Sequence, residues 1–171
     1  MGREARARAN RQRDLTETAA GCLQLLDEMA KDAFARFGSS GTLAATFLVV
    51  PSAGKAFMVA PGWEDNEMKA RMLVELRAMF REMGVVRYAV VTEAWVAPLV
   101  DDPRGQVVRP GEHPSRKEVI SLVAVERGGE KLSGYREILR PWDGSKPTFG
   151  PIEIHNGEGA PVGRLLTLLD D

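Results

Sequence analysis

The stretch Val85–Ala97 contains Tyr88-Ala-Val-Val91, four consecutive apolar residues inside the longest run of strand-forming residues in the chain. Strand side chains alternate between faces, so an unbroken apolar run cannot leave one face to water. The pattern is that of a central strand covered on two sides. A chain of 171 residues with 44% hydrophobic and 27% charged residues can build such a core as one domain.

Two amphipathic segments can supply the cover. Leu15, Ala19, Cys22, Leu26, Met29, Ala33 and Phe37 recur at helical spacing, predicting a helix from about Asp14 to Phe37. Asp14 and Glu17 read as a capping-box pair, with Thr16 as a rival cap, and Gly38-Ser-Ser-Gly41 is the expected stop. A second helix is expected from Glu64 or Asn66 to Met83, ended by Gly84, with Met68, Met72, Leu76, Met79, Phe80 and Met83 on one face. Strands are expected over Thr42–Val50, Lys55–Ala60, Val85–Ala97, Glu118–Glu126 and Lys131–Arg140, with a short edge strand over Thr148–Ile154. Arg127-Gly-Gly-Glu130 is a tight turn that joins two of them as a hairpin. The last residues, Arg164–Leu169, read as a strand or as one or two helical turns.

The order α-β-β-α-β-β-β, with hairpins and no regular βαβ units, predicts an α+β fold. Two helices would pack on a mainly antiparallel sheet of about five to six strands. Residues 1–13 are expected to be a basic arm and residues 14–171 a single α+β domain. The stretch Pro98–Lys117 has no periodicity and is expected to be a long loop, an uncommon feature in a compact domain and often a functional one.

Several function classes fall to simple checks. With Cys22 as the only cysteine there is no disulfide and no thiolate-rich zinc site. No apolar run reaches the length of a membrane span, and the first 20 residues lack the apolar centre of a signal peptide, so a cytoplasmic location is expected. A zinc deaminase needs His-x-Glu at the second helix, but Pro61-Gly-Trp-Glu-Asp-Asn-Glu67 has no histidine. A phosphate-binding loop fails because Gly54-Lys55 is followed by Ala56 and Val49 stands where a glycine is required. Gly157, Gly159 and Gly163 miss dinucleotide spacing by one residue. No cofactor and no metal is therefore expected.

The remaining polar residues give a short list of candidates. Glu93 shares a strand face with Arg87, Val91 and Trp95, as a ligand-binding wall or as an ion pair beside a packing tryptophan. His113 lies near Ser115 and downstream of Asp101 and Asp102, so a Ser-His-Asp arrangement is conceivable against the plainer reading of a surface histidine. Glu153 and His155 are two apart on a strand, and Glu158 or Asp143 could complete an oxygen-and-imidazole metal site; edge-strand decoration is the plainer reading. Cys22 lies on the apolar stripe and is expected to be buried and inert. The arm sets Arg3, Arg6, Arg8, Arg11 and Arg13 against Glu4 alone, in a chain of net charge −1. It is either a solvated helix start or a contact for nucleic acid or another polyanion.

The best-supported expectation is a non-catalytic binding or regulatory module. It would contact a protein partner through the 98–117 loop, whose Asp101, Asp102 and Glu112 stand against Arg104, Arg109, Arg116 and Lys117. Trp95 and His113 complete the expected contact set. The alternatives are a small hydrolase or metal-dependent enzyme using Glu93, His113 or His155, and a nucleic-acid-associated protein tethered by its arginine arm. Leu165, Leu166, Leu168 and Leu169 could form a homodimer seam or a buried tail.

Overall fold

The computed structural model describes residues 21–53, 55–97, 110–156, 165 and 167–170. The expected basic arm, the 98–109 part of the long loop and residues 157–164 lie outside the described residues. The elements are α1 (Cys22–Ser40), β1 (Thr46–Pro51), β2 (Phe57–Val59), α2 (Asn66–Glu82), β3 (Val85–Val96), a 3-10 turn (Pro110–Glu112), β4 (Lys117–Glu126), β5 (Lys131–Leu139) and β6 (Thr148–Asn156). The six strands form one antiparallel sheet in the order β2-β1-β3-β4-β5-β6. The expected α+β fold is what the chain adopts. β6 is longer than the short edge strand expected from its sequence.

Helix α1 covers one face of the sheet and α2 the other, because alternate residues of the central strands belong to different cores. Leu48, Ala89, Val91, Ile120, Leu122 and Ala124 pack with Leu25, Leu26, Met29, Ala33 and Phe37 of α1. Their strand neighbours Phe47, Val49, Tyr88, Val90, Val123 and Val125 pack with Leu73, Leu76 and Phe80 of α2. Burial of each large apolar side chain contributes about 1.5–3 kcal/mol, so a two-sided β3 anchors both layers. No helix among the described residues is long and apolar enough to cross a membrane.

Three local expectations are corrected. The helix predicted from Asp14 begins at Cys22, behind an extended Gly21 with φ −171° and ψ 170°; Asp14 and Glu17 lie outside the described residues. It runs past Gly38 and stops at Gly41, whose φ of 73° lets its N–H donate to Phe37 O at 2.7 Å. Stopping at Gly38 would forfeit that last turn. On α2, Leu73 joins Leu76 and Phe80 in the core, while Met68, Met72 and Met79 are half-buried and Met83 is exposed. The helix starts as expected, with the Asp65 carboxylate accepting from Met68 N–H at 2.7 Å.

The chain end closes the α2 side. Leu168 and Leu169 are buried beside Tyr88, and the Tyr88 hydroxyl donates to Leu165 O. Arg77 donates to Thr167 O at 3.1 Å, and Lys131 meets Asp170 at 2.7 Å. Leu168 and Leu169 therefore belong to the core, and they sit in a turn rather than a strand.

Candidate functional site

The two ends of the sheet differ. At one end lie the 126–131 turn, the start of β3 and the chain end. At the other, β3 runs out into the long loop, β4 returns from it, β5 turns into β6, and α1 terminates. Trp95 of β3 is the cross-strand partner of Glu118 of β4. Glu118 accepts from Arg140 Nε at 2.7 Å and from its terminal nitrogen at 2.6 Å, a two-pronged pair. That pair holds the Glu118 carboxyl below its usual range, because the ionised form accepts both bonds. The Arg140 guanidinium lies 5.6 Å over the Phe37 ring, which joins the pair to the last turn of α1.

Trp95 itself is 47% exposed. The Arg116 guanidinium sits 5.1 Å from its ring, and the 3-10 turn passes so close that a Cβ on Gly111 would be 3.7 Å from the indole. Arg116 is held in turn by its N–H donating to His113 O at 3.1 Å. At the same end, on the opposite face of the sheet, Lys117 and Glu137 pair at 3.0 Å. The β5–β6 turn emerges at the same end and carries Trp142, which is 98% exposed. The turn is well defined: Gly144 N–H donates to Pro141 O at 3.3 Å, and Asp143 accepts from Ser145 N–H at 2.9 Å. That bond holds the Asp143 carboxyl below its ordinary value. Two indoles, two guanidinium groups and two ion pairs thus share one end of the sheet.

The sequence candidates distribute as follows. Trp95, Glu112, His113 and Arg116 come together at this end, with Glu112 exposed at the 3-10 turn. Asp101, Asp102, Arg104 and Arg109 lie outside the described residues, as do Arg3, Arg6, Arg8, Arg11 and Arg13. The expected wall of Arg87, Glu93 and Trp95 shares a face but is not one site. Arg87 is paired with Glu126, about 26 Å along the strand from Trp95 at 3.3 Å per residue. Glu93 is half-buried, and its carboxylate accepts from the Leu43 backbone N–H, bridging β3 to the residues after α1. The Ser115 group that meets His113 is its backbone N–H, 3.0 Å from Nδ1, so the imidazole accepts within a turn and no hydroxyl is aligned on it.

His155 lies on the α2 side of β6, stacked on Tyr135 with ring centroids 5.9 Å apart and planes at 22°. Glu153 shares that face and accepts from the Tyr135 hydroxyl at 2.5 Å, which pushes the phenol up to about 12. Asp143 sits in the β5–β6 turn, and Glu158 lies outside the described residues. Among the described residues no three His, Cys, Asp or Glu side chains cluster as metal ligands.

Sequence reasoning passed over Trp142. The signal was present: Pro141-Trp-Asp-Gly144 is a turn motif, and a residue at a turn tip has no layer to pack against. Glu118 and Arg140 were also passed over, because a pair 22 residues apart forms only when β4 and β5 align. Comparison of the chain with protein-family models, with curated proteins and with solved structures finds no match.

Proposed function

We propose that the chain is a non-catalytic binding module that grips a protein partner with the end of the sheet carrying Trp95, Arg116 and Trp142. The observation that supports this reading is the pair of exposed indoles, 47% and 98% open to solvent, at the end from which the long loop leaves. Tryptophan and arginine dominate the energetic centres of protein interfaces. Trp142 is 98% exposed and has no packing role among the described residues, and a hydrogen-bonded turn carries it. The surrounding charges are of both signs and largely paired, a pattern suited to a protein surface rather than to a phosphate backbone. Asp101, Asp102, Arg104 and Arg109 would extend the same rim through the loop.

The competing enzymatic reading rests on Glu93, His113 and His155. Glu93 is engaged by the Leu43 amide and His113 by the Ser115 amide, which favours structural duties for both.

The test is affinity capture with the full chain, with bound proteins identified and quantified by mass spectrometry. Trp95→Ala and Trp142→Ala should each lower the yield of the same captured protein about tenfold, the size expected of an interface centre. Val74→Ala, at a 65%-exposed position on α2, should leave it unchanged. A parent chain that captures nothing above the matrix control refutes the proposal. So does capture by both tryptophan variants at the parent's level.

A further inference from the structure

We infer that the chain self-associates through the outer edge of β6, with a two-fold axis at Ile154 joining two sheets into one of twice the width. Among the described residues β6 has a neighbour only on its β5 side. An edge strand offers unpaired backbone donors and acceptors to a matching strand. Pro151 cannot donate, so the usable stretch is Ile152-Glu-Ile-His-Asn156.

That stretch is self-complementary in one register. Directly opposed residues of an antiparallel pair point to the same face. With Ile154 opposite its own copy, each Glu153 faces the His155 of the second copy, and the carboxylate can accept from the imidazole twice by symmetry. Centring on Glu153 would oppose two carboxylates and bring in Pro151, and centring on His155 would oppose two imidazoles. An axis between residues would place Ile154 against Glu153 and turn the apolar face of one copy to the polar face of the other.

The side chains are already arranged for this register. Tyr135 fixes both polar partners, donating to Glu153 at 2.5 Å and stacking on His155. Little side-chain ordering then remains on association. On the opposite face Ile152 and Ile154, each 46% exposed, and Leu23, 57% exposed, border an open apolar groove between α1 and β6. The two-fold sets Ile154 against Ile154 and merges the two grooves. Both copies then carry α1 on the same face.

The experiment is sedimentation velocity on the full chain together with site-directed crosslinking. The parent should dimerise below about 100 µM. His155→Glu opposes two carboxylates and should raise the dimer dissociation constant at least tenfold, about 1.4 kcal/mol. The exchange Glu153→His with His155→Glu restores the pairing and should bring the constant back. Ile154→Cys should crosslink on mild oxidation, because opposed Cα atoms lie about 4.5–5.5 Å apart, within disulfide reach. Ile152→Cys should not, because the two copies of that position would be about 13 Å apart. Cys22 is buried and does not compete. A monomeric parent, a His155→Glu variant that dimerises like the parent, or equal crosslinking at 152 and 154 each overturns the inference. Circular dichroism of every variant separates lost association from lost folding.

Discussion

Gly134→Ala tests how closely β5 and β6 are packed. Gly134 is buried in β5 opposite Ile154, and a Cβ there would lie 2.6 Å from Glu153 O and 3.4 Å from Ile154 Cα. An ordinary C···O approach is about 3.3 Å, so the strands must separate by about 0.7 Å or the carbonyl must tilt. The neighbouring atoms are backbone and cannot swing aside as a flexible side chain would. Overpacking of this kind costs about 1–3 kcal/mol. Alanine also narrows the unfolded ensemble, which returns about 0.4–1 kcal/mol. The net expectation is a loss of about 1–2 kcal/mol, or about 2–8 °C in Tm for a chain of this size. Thermal unfolding followed by circular dichroism measures it. Gly150→Ala is the control: its Cβ would meet Glu137 Cβ at 3.4 Å, ordinary contact, and stability should stay within about 0.5 kcal/mol. If Gly134→Ala melts within about 1 °C of the parent, the close approach is not what excludes a side chain here.

Three further outcomes are expected. The Arg140 fork lowers the Glu118 carboxyl, so the pair's stabilisation is full above the unfolded carboxyl value near 4.3 and is lost as pH falls through the lower folded value. Glu118→Gln should therefore lose about 1 kcal/mol at neutral pH by urea denaturation and converge with the parent under acid; a pH-independent difference refutes the ionic account. Burial pushes the Cys22 thiol up to about 11, so a thiol reagent should leave the native chain unlabelled at mildly alkaline pH and label it fully in urea; rapid native labelling contradicts the packing around α1. Removing residues 1–13 should abolish any nucleic-acid binding, which for three to five phosphate contacts falls with a log–log salt slope of roughly −2 to −4.5; an unchanged slope places the contacts elsewhere.

The parts of the fold legible in the sequence are those decided within a few residues. Tyr88–Val91 announced a strand covered twice, and all four residues are buried. Gly84 ends α2 as its sequence implied, and Gly128, with φ 66°, makes the 126–131 turn that the glycine pair implied. What the stripes could not say was which face each helix takes. The Cys22–Phe37 stripe and the Leu76–Phe80 stripe are both apolar, and only strand order and chain direction assign them to opposite sides. The same limit governed the site. Trp63, Trp95 and Trp142 are alike in composition. Yet Trp63 packs on the α2 core with Lys69 5.3 Å over its ring, whereas the other two face solvent. From the sequence Glu93 belongs to a ligand-binding wall or an ion pair, and neither reading finds its partner, the Leu43 amide 50 residues away.

The placement of two helices on opposite faces confines where this protein can meet anything else. The faces of β1, β3 and β4 lie under helices or the chain end, so these three strands can meet a partner only at their ends. The two ends are not equivalent. At the 126–131 end the backbone groups are taken internally: Ser52 N–H donates to Gly84 O at 2.9 Å, Arg127 N–H to Val86 O at 2.9 Å, and Arg127 Nε to Val85 O at 3.0 Å. Arg87 and Glu126 close that end with an ion pair. At the other end the side chains capable of dominating an interface face outward: Trp95 under Arg116, and Trp142 on its turn. A chain selected only for stability gains nothing from a tryptophan held 98% in water, since burying that ring elsewhere would contribute several times the energy of the turn's own hydrogen bonds. The asymmetry between a sealed end and an open one is the physical reason the proposed partner contact is set at Trp95 and Trp142, and the self-complementary register of Ile152–Asn156 is the reason the proposed second copy is set along β6.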